Sequence, residues 1–174
     1  YQRYVWAAGY CEGKKVLEVA CGSGQGLGCL NAVAESVLGG DYEPEMLNIA
    51  RRHYGDRIEL RELDAHAMPF EDDSLDVILL FEAIYYLADA GKFIAECKRV
   101  LTTGGKVLIA TANKDLFDFN PSPHTYVYYG VVELEQLFKE HGFYCEFFAT
   151  TPVSRISLRQ KILRPLKRVV VSMG

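Results

Sequence analysis

What this 174-residue chain lacks narrows its identity first. No apolar run approaches the about 18 residues that a membrane-spanning helix needs; the candidate runs, Val77–Phe81 and Val107–Ala110, are the length of strands. The chain opens at Tyr1, not Met, with no basic-then-apolar leader, so no secretory signal is expected. The abrupt start and finish suggest that an N-terminal segment is missing. The five cysteines are odd in number and scattered, none in a C-x-x-C pair, and no histidine pair stands at zinc-ligand spacing. Reduced structural thiols in a cytoplasmic protein and no metal site are therefore expected. Cys21 falls in a glycine-rich loop and is read there as a small residue, not a nucleophile. With six prolines, 49% hydrophobic and 24% charged residues, the composition is that of a globular chain and excludes collagenous, coiled-coil and disordered classes.

Acidic residues are absent from Val153 to Gly174, where six basic ones stand: Arg155, Arg159, Lys161, Arg164, Lys167 and Arg168. The remaining body carries 13 Lys and Arg against 23 Asp and Glu, a balance of −10 hidden by the overall −4. An acidic body lacks the basic face that phosphate backbones require, so no nucleic-acid partner is expected. Ile156, Ile162, Leu163, Leu166, Val169 and Val170 interleave with the basic residues of the tail. This amphipathic stretch suits packing on the acidic body, or weak contact with an anionic membrane or a lipid-linked acceptor.

Strand-like and helix-like segments alternate, which predicts a parallel sheet covered by helices on both faces. Strands are expected at 16–19, 37–41, 58–63, 76–81 and 106–111, with a final one at 143–149. Helices are expected from the glycine cluster to about Ala34, from Pro44 to Gly55, along Phe93–Leu101 with a stop at Gly104-Gly105, and over Val131–His141 closed by Gly142. The fold class is α/β. Residues 1–174 read as one domain, and 112–130 as an irregular aromatic segment over the ligand crevice.

The glycine cluster, Gly22-Ser23-Gly24-Gln25-Gly26, joins the first strand to a helix. A dinucleotide fingerprint, G-x-G-x-x-G/A, fails in every register, since its third position falls on Leu27, Cys29 or Asn31. Glu18, four residues before Gly22, is also a poor neighbour for a pyrophosphate. Glu18-x-Ala20-x-Gly22-x-Gly24 instead resembles the first motif of class I S-adenosylmethionine-dependent methyltransferases, with Ala20 in place of the first glycine. Val37–Met46 is similar to the second strand and turn of that family, 63–70 to its adenine loop, 76–87 to its fourth strand and exit, and 99–109 to the double-glycine turn and fifth strand.

The resemblance implies a three-layer Rossmann-like sandwich with strand order 3-2-1-4-5 plus a C-terminal strand, and a set of cofactor-binding residues. Glu18, Ala20, Gly22 and Gly24 would carry the methionine portion, and Asp41 with Tyr42 the ribose. Asp64 and Ala65 would meet the adenine, Met46 and Phe81 would pack on the adenine or the methionine chain, Glu82 would lie near the methyl and Arg3 on the cofactor carboxylate. Plainer roles stand beside these. Glu18 could satisfy helix-terminal N–H groups, Asp41 could serve the helix at Pro44, and Asp64 could form a turn. Glu82 could be a structural partner, Met46 and Phe81 core residues, and Arg3 a solvated surface residue. His53 and His141 read as surface residues and His66 as lining the adenine loop at most.

The resemblance further implies methyl transfer from S-adenosylmethionine to a small-molecule acceptor. A sugar hydroxyl is one candidate acceptor, and quinone or other small-metabolite methylation the alternative. A non-catalytic cofactor-binding member is a further reading. Tyr85-Tyr86 stands where many relatives have an acid–histidine pair, so Tyr86 and His124 are the candidates to assist the acceptor. Nothing in the sequence bears on oligomeric state.

Overall fold

The computed structural model describes residues 1–116 and 119–148. They divide between two compact units, one spanning Tyr1–Thr111 and the other beginning at Ala112. Phe117, the end of the expected last strand at Ala149, and the basic tail lie outside the described residues.

The first unit holds helix α1 (Gln2–Cys11), strand β1 (Lys15–Val19), the short α2 (Leu27–Asn31), β2 (Ser36–Asp41), α3 (Pro44–Tyr54), β3 (Glu59–Glu62), β4 (Leu75–Phe81), α4 (Ala90–Val100) and β5 (Leu101–Ala110). The sheet is parallel throughout, in the order β3-β2-β1-β4-β5. β4 is paired on both sides, and six of its seven residues, all but Asp76, are buried hydrophobics, as a central parallel strand requires. β3 has the opposite character. Its sequence, Glu-Leu-Arg-Glu, leaves charges on an edge that would otherwise recruit another strand.

Helix ends follow local chemistry. α3 starts on Pro44, carries Glu45 in its first turn and Arg51, Arg52 and His53 in its last, so its charges complement the helix dipole. The Asp89 side chain caps α4 by accepting from the Lys92 N–H at 3.0 Å. α4 ends at Val100, before the double glycine expected to stop it. Leu101 already pairs with Leu75, the ladder breaks, and it resumes at Val77–Lys106. Gly104-Gly105 therefore sits in a bulge of β5, not at a helix terminus.

α1 has no counterpart among the expected elements. Its signal is present in retrospect, because Tyr4, Ala7 and Cys11 recur at helical spacing and Ala7 and Cys11 are fully buried. They join Leu27, Leu30, Leu47, Val77 and Leu79 in one core.

In the second unit, α5 (Val131–Glu140) ends as expected. Phe143 N–H bonds to Phe138 C=O and Gly142 N–H to Lys139 C=O, with Gly142 at φ +80°. The sixth strand is not formed over its described part. Residues 143–146 alternate between half-buried and exposed as a strand would, yet no ladder pairs them. Alternation fixes an extended backbone; a strand also needs a partner edge. Within this unit Phe119 packs edge-on against Tyr128 at 4.7 Å between centroids, and Ser122 N–H donates to the Tyr128 hydroxyl. His124 is exposed.

Candidate cofactor site

Because β1, β2, β3 and β4 are parallel, their carboxyl ends open on one edge of the sheet, where α/β proteins bind ligands. Glu18 stands on β1 level with Gly39 and Leu79. It is almost fully buried, and its Oε1 accepts from the Tyr4 hydroxyl at 2.6 Å. Its Oε2 has no hydrogen-bond partner among the described residues. Burial pushes the carboxyl up to about 7, with the negative charge of Asp41 adding to the effect and the Tyr4 bond opposing it.

β1 then turns sharply. Ala20 adopts φ +55°, the left-handed conformation that the absent glycine of the motif would take without cost. For an L-residue this costs about 1–2 kcal/mol. Two tyrosines, both missed from sequence, hold the loop that follows. The Tyr54 hydroxyl donates to the Gly24 carbonyl at 2.7 Å and accepts from the Gly28 N–H at 3.0 Å. A Cβ on Gly24 would stand 2.8 Å from the Tyr54 ring. On Gly26 it would fall 1.8 Å from the ring of Tyr4, which itself packs on Phe81. Leu47, Ala50 and Tyr54 form the buried stripe of α3, the signal that could have placed Tyr54 against the loop.

Asp41, at the end of β2, is buried and accepts one backbone N–H on each oxygen, Gly22 at 2.7 Å and Glu43 at 2.9 Å. It thus braces the glycine loop and the entry to α3 together, and each oxygen keeps a lone pair. Tyr42 and Met46 are exposed beside it, so the core role considered for Met46 is corrected. Phe81 is buried and does belong to the core.

Beyond β3, Asp64 Oδ1 accepts from the His66 N–H at 2.8 Å and lies 2.7 Å from the His66 ring Nδ1. The turn-forming role is therefore real. The backbone bond, then the ring, keep the Asp64 carboxyl below its usual range. Arg99 fixes the next stretch of this loop. It donates to the Met68 and Phe70 carbonyls and to Glu96, while Glu96 accepts the Met68 N–H.

At the end of β4, Glu82 takes φ +54° and its N–H bonds to Ala110 C=O. Its carboxylate accepts from Arg3 at 2.8 Å and from the Tyr85 hydroxyl at 3.2 Å. Arg3 is thus engaged with a protein carboxylate while its side chain stays partly exposed. Tyr86 is half exposed and packs edge-on against Tyr85. Cys21 is buried, which raises its thiol well above the ordinary range and makes it inert as a nucleophile.

The donor and acceptor set suits one type of ligand. Glu18 Oε2 is a buried acceptor without a donor, an arrangement that costs about 1–3 kcal/mol until a donor arrives. Together with Asp41 it offers negative charge where a pyrophosphate would need positive charge. An ammonium matches Glu18 and vicinal ribose hydroxyls match Asp41, whereas a pyrophosphate would be repelled by Glu18.

The fold is a Rossmann-like domain whose sheet edge carries two buried carboxylates beside a glycine-rich loop. Residues 17–109, more than half the chain, match the methyltransferase domain family, and the chain belongs to that family, with S-adenosylmethionine as its cofactor. It is 35% identical over 150 residues to a Mycolicibacterium smegmatis protein named "Probable S-adenosylmethionine-dependent methyltransferase", covering 84% of this chain and 57% of that one. It is 32% identical over 108 residues to the ubiquinone biosynthesis O-methyltransferase of Sinorhizobium medicae, covering 60% and 44%. Among solved structures, a SAM-dependent methyltransferase from Aquifex aeolicus superposes with a TM-score of 0.69 at 25% identity, covering 81% and 78%. The chain spans about two-fifths to three-fifths of the length of the curated relatives it matches first. No helix among the described residues is long and apolar enough to cross a membrane.

Proposed function

We propose that this chain, as one domain over residues 1–174, transfers a methyl group from S-adenosylmethionine to a nucleophilic oxygen on a small aromatic molecule of the quinone type. The observation that carries the cofactor half is the buried, half-satisfied Glu18 beside the braced Asp41 and the glycine loop. The acceptor half draws on the O-methyltransferase relative. Nothing comparable favours the sugar hydroxyl, which becomes the second candidate.

Bound S-adenosylmethionine supplies a methyl group on a positively charged sulfur, so the chain's own task is alignment and exclusion of water. Proximity of this kind can lower a barrier by about 7–11 kcal/mol. Glu18 would hold the ammonium, Asp41 the ribose hydroxyls, and Asp64 with Ala65 the adenine edge. Tyr86 would hydrogen-bond the acceptor, whose hydroxyl gives up its proton to water as the methyl group arrives. Calorimetry with S-adenosylhomocysteine and with NADP, followed by labelled methyl transfer onto a catechol-type acceptor and onto a sugar, tests the reading. Binding of NADP in place of S-adenosylhomocysteine would defeat it; transfer to the sugar alone would replace the acceptor.

A further inference from the structure

His66 is the centre of a relay that the cofactor chemistry described so far leaves unused. Its ring Nδ1 lies 2.7 Å from Asp64 Oδ1, the oxygen that also takes the His66 backbone N–H at 2.8 Å. Its Nε2 accepts from the Asp89 N–H at 3.3 Å. Asp89 is the N-cap of α4, so one imidazole ties the loop after β3 to the start of that helix. The tautomer follows from the partners: Nε2 faces an N–H donor and must be bare, so Nδ1 carries the hydrogen and donates to Asp64.

This matters because Asp64 is about half exposed, at 48% of its side-chain surface. An exposed aspartate on a loop ordinarily samples several rotamers. Here two donors converge on a single oxygen, which fixes the carboxylate plane and leaves Oδ2 as the open acceptor. The neighbouring Ala65 is buried, and its N–H has no acceptor among the described residues. An acceptor beside a donor complements the edge of adenine, which presents its 6-amino group and N1. Hypoxanthine presents a carbonyl and an N1–H, the reverse order, and would meet both groups wrongly.

We infer that His66 is a positioning residue that locks the Asp64 carboxylate beside the Ala65 N–H, and so makes the site select an adenine base over its deaminated counterpart. The inference rests on the cofactor reading proposed above and assigns one residue within it.

The test is calorimetry on the full chain with S-adenosylhomocysteine and S-inosylhomocysteine. The wild-type chain should prefer the adenine compound. His66→Ala should weaken that compound about tenfold, corresponding to about 1.4 kcal/mol, with little change for the inosine compound, so that the preference shrinks. His66→Asn keeps an N–H able to reach Asp64 and should retain most of the preference; His66→Leu, of similar size without a donor, should lose it. This pair decides the matter if the alanine variant does not fold. Equal preference in the Asn and Leu variants, or loss of affinity for both compounds by the same factor, would show a structural staple only and overturn the inference. A wild-type chain that binds neither compound overturns the cofactor reading itself, and this inference with it.

Discussion

The Tyr4 hydroxyl donates to Glu18 Oε1 at 2.6 Å and ties helix α1 to the strand that opens the cofactor loop. The Glu18 carboxyl titrates ordinarily at 4.5 and is pushed up to about 7 by burial in the folded chain. Between those values the folded state holds a proton that the unfolded chain has lost. Its contribution to stability is therefore complete below about 4.5 and is lost as pH rises through about 7, with a slope of at most about 1.4 kcal/mol per pH unit. Thermal melts of the cofactor-free chain across this window should show the loss, and Glu18→Gln should flatten it. An unchanged slope in the variant would mean that another group is responsible. S-adenosylmethionine, whose ammonium needs the carboxylate, should bind more tightly as pH rises through the same window.

Two substitutions beside this pair should move stability in opposite directions. Gly26→Ala drives a methyl group into the Tyr4 ring, so the ring must shift and the bond to Glu18 must open. Overpacking of this kind costs about 1–3 kcal/mol, and a melt should register it. Ala20→Gly would ordinarily cost about 0.5–1 kcal/mol in chain entropy. At φ +55° it also removes a left-handed penalty of about 1–2 kcal/mol. Stability should hold or rise by up to about 1 kcal/mol; a clear loss would show that the Ala20 methyl group contributes packing that outweighs the strain.

The strands and the carboxylates were legible because each depends on short-range pattern, and the sheet order followed from the family resemblance. The run Val77–Phe81 could only be a central strand, and Glu18 four residues before Gly22 excluded a pyrophosphate site without any contact being known. Tyr4 and Tyr54 were not legible, since their value lies in hydroxyls meeting Glu18 and the loop backbone across 14 and 30 residues of chain. Gly104-Gly105 misled for a related reason. A double glycine marks a break in regular structure, and here the break lies inside a strand pair and not after a helix. Residues 143–148 show the limit from the other side, since the strand expected there has no ladder among the described residues.

Tyr54→Phe should separate the brace from the packing. The ring still fills its place, but the Gly28 N–H loses its partner and the Gly24 carbonyl keeps only the Leu27 N–H. Losing two such bonds, with one group open to solvent and the other still paired, costs about 0.5–1.5 kcal/mol for each bond. The melting temperature should fall, and affinity for S-adenosylhomocysteine should fall with it because the loop is no longer held. Lower stability with unchanged affinity would show that the cofactor itself can order the loop.

Asp41 answers for two backbone donors and, in the proposed site, for two ribose hydroxyls. Asp41→Ala should weaken S-adenosylhomocysteine at least tenfold, the loss of one charged hydrogen bond of about 1.5–3 kcal/mol. Asp41→Asn should not rescue it. One of its two polar atoms becomes an NH₂, which would face the N–H of Gly22 or Glu43 where an oxygen now stands. Full affinity in the asparagine variant would show that neither contact needs the second acceptor.

The basic tail supports a prediction from charge alone, since residues 153–174 lie outside the described structure. Its six positive residues face a body with a balance of −10, which offers them an intramolecular partner. An anionic membrane or a lipid-linked acceptor offers the alternative, at about 1 kcal/mol per basic residue near the surface. Both attractions are screened over about 8–10 Å near physiological salt, but only the second one sediments the protein with vesicles. We expect modest cosedimentation with phosphatidylserine vesicles at low ionic strength that vanishes near physiological salt, and its loss when Arg164, Lys167 and Arg168 are changed to glutamine. No binding at low salt would leave the tail to the acidic body, and in that case the same three substitutions should lower the melting temperature instead.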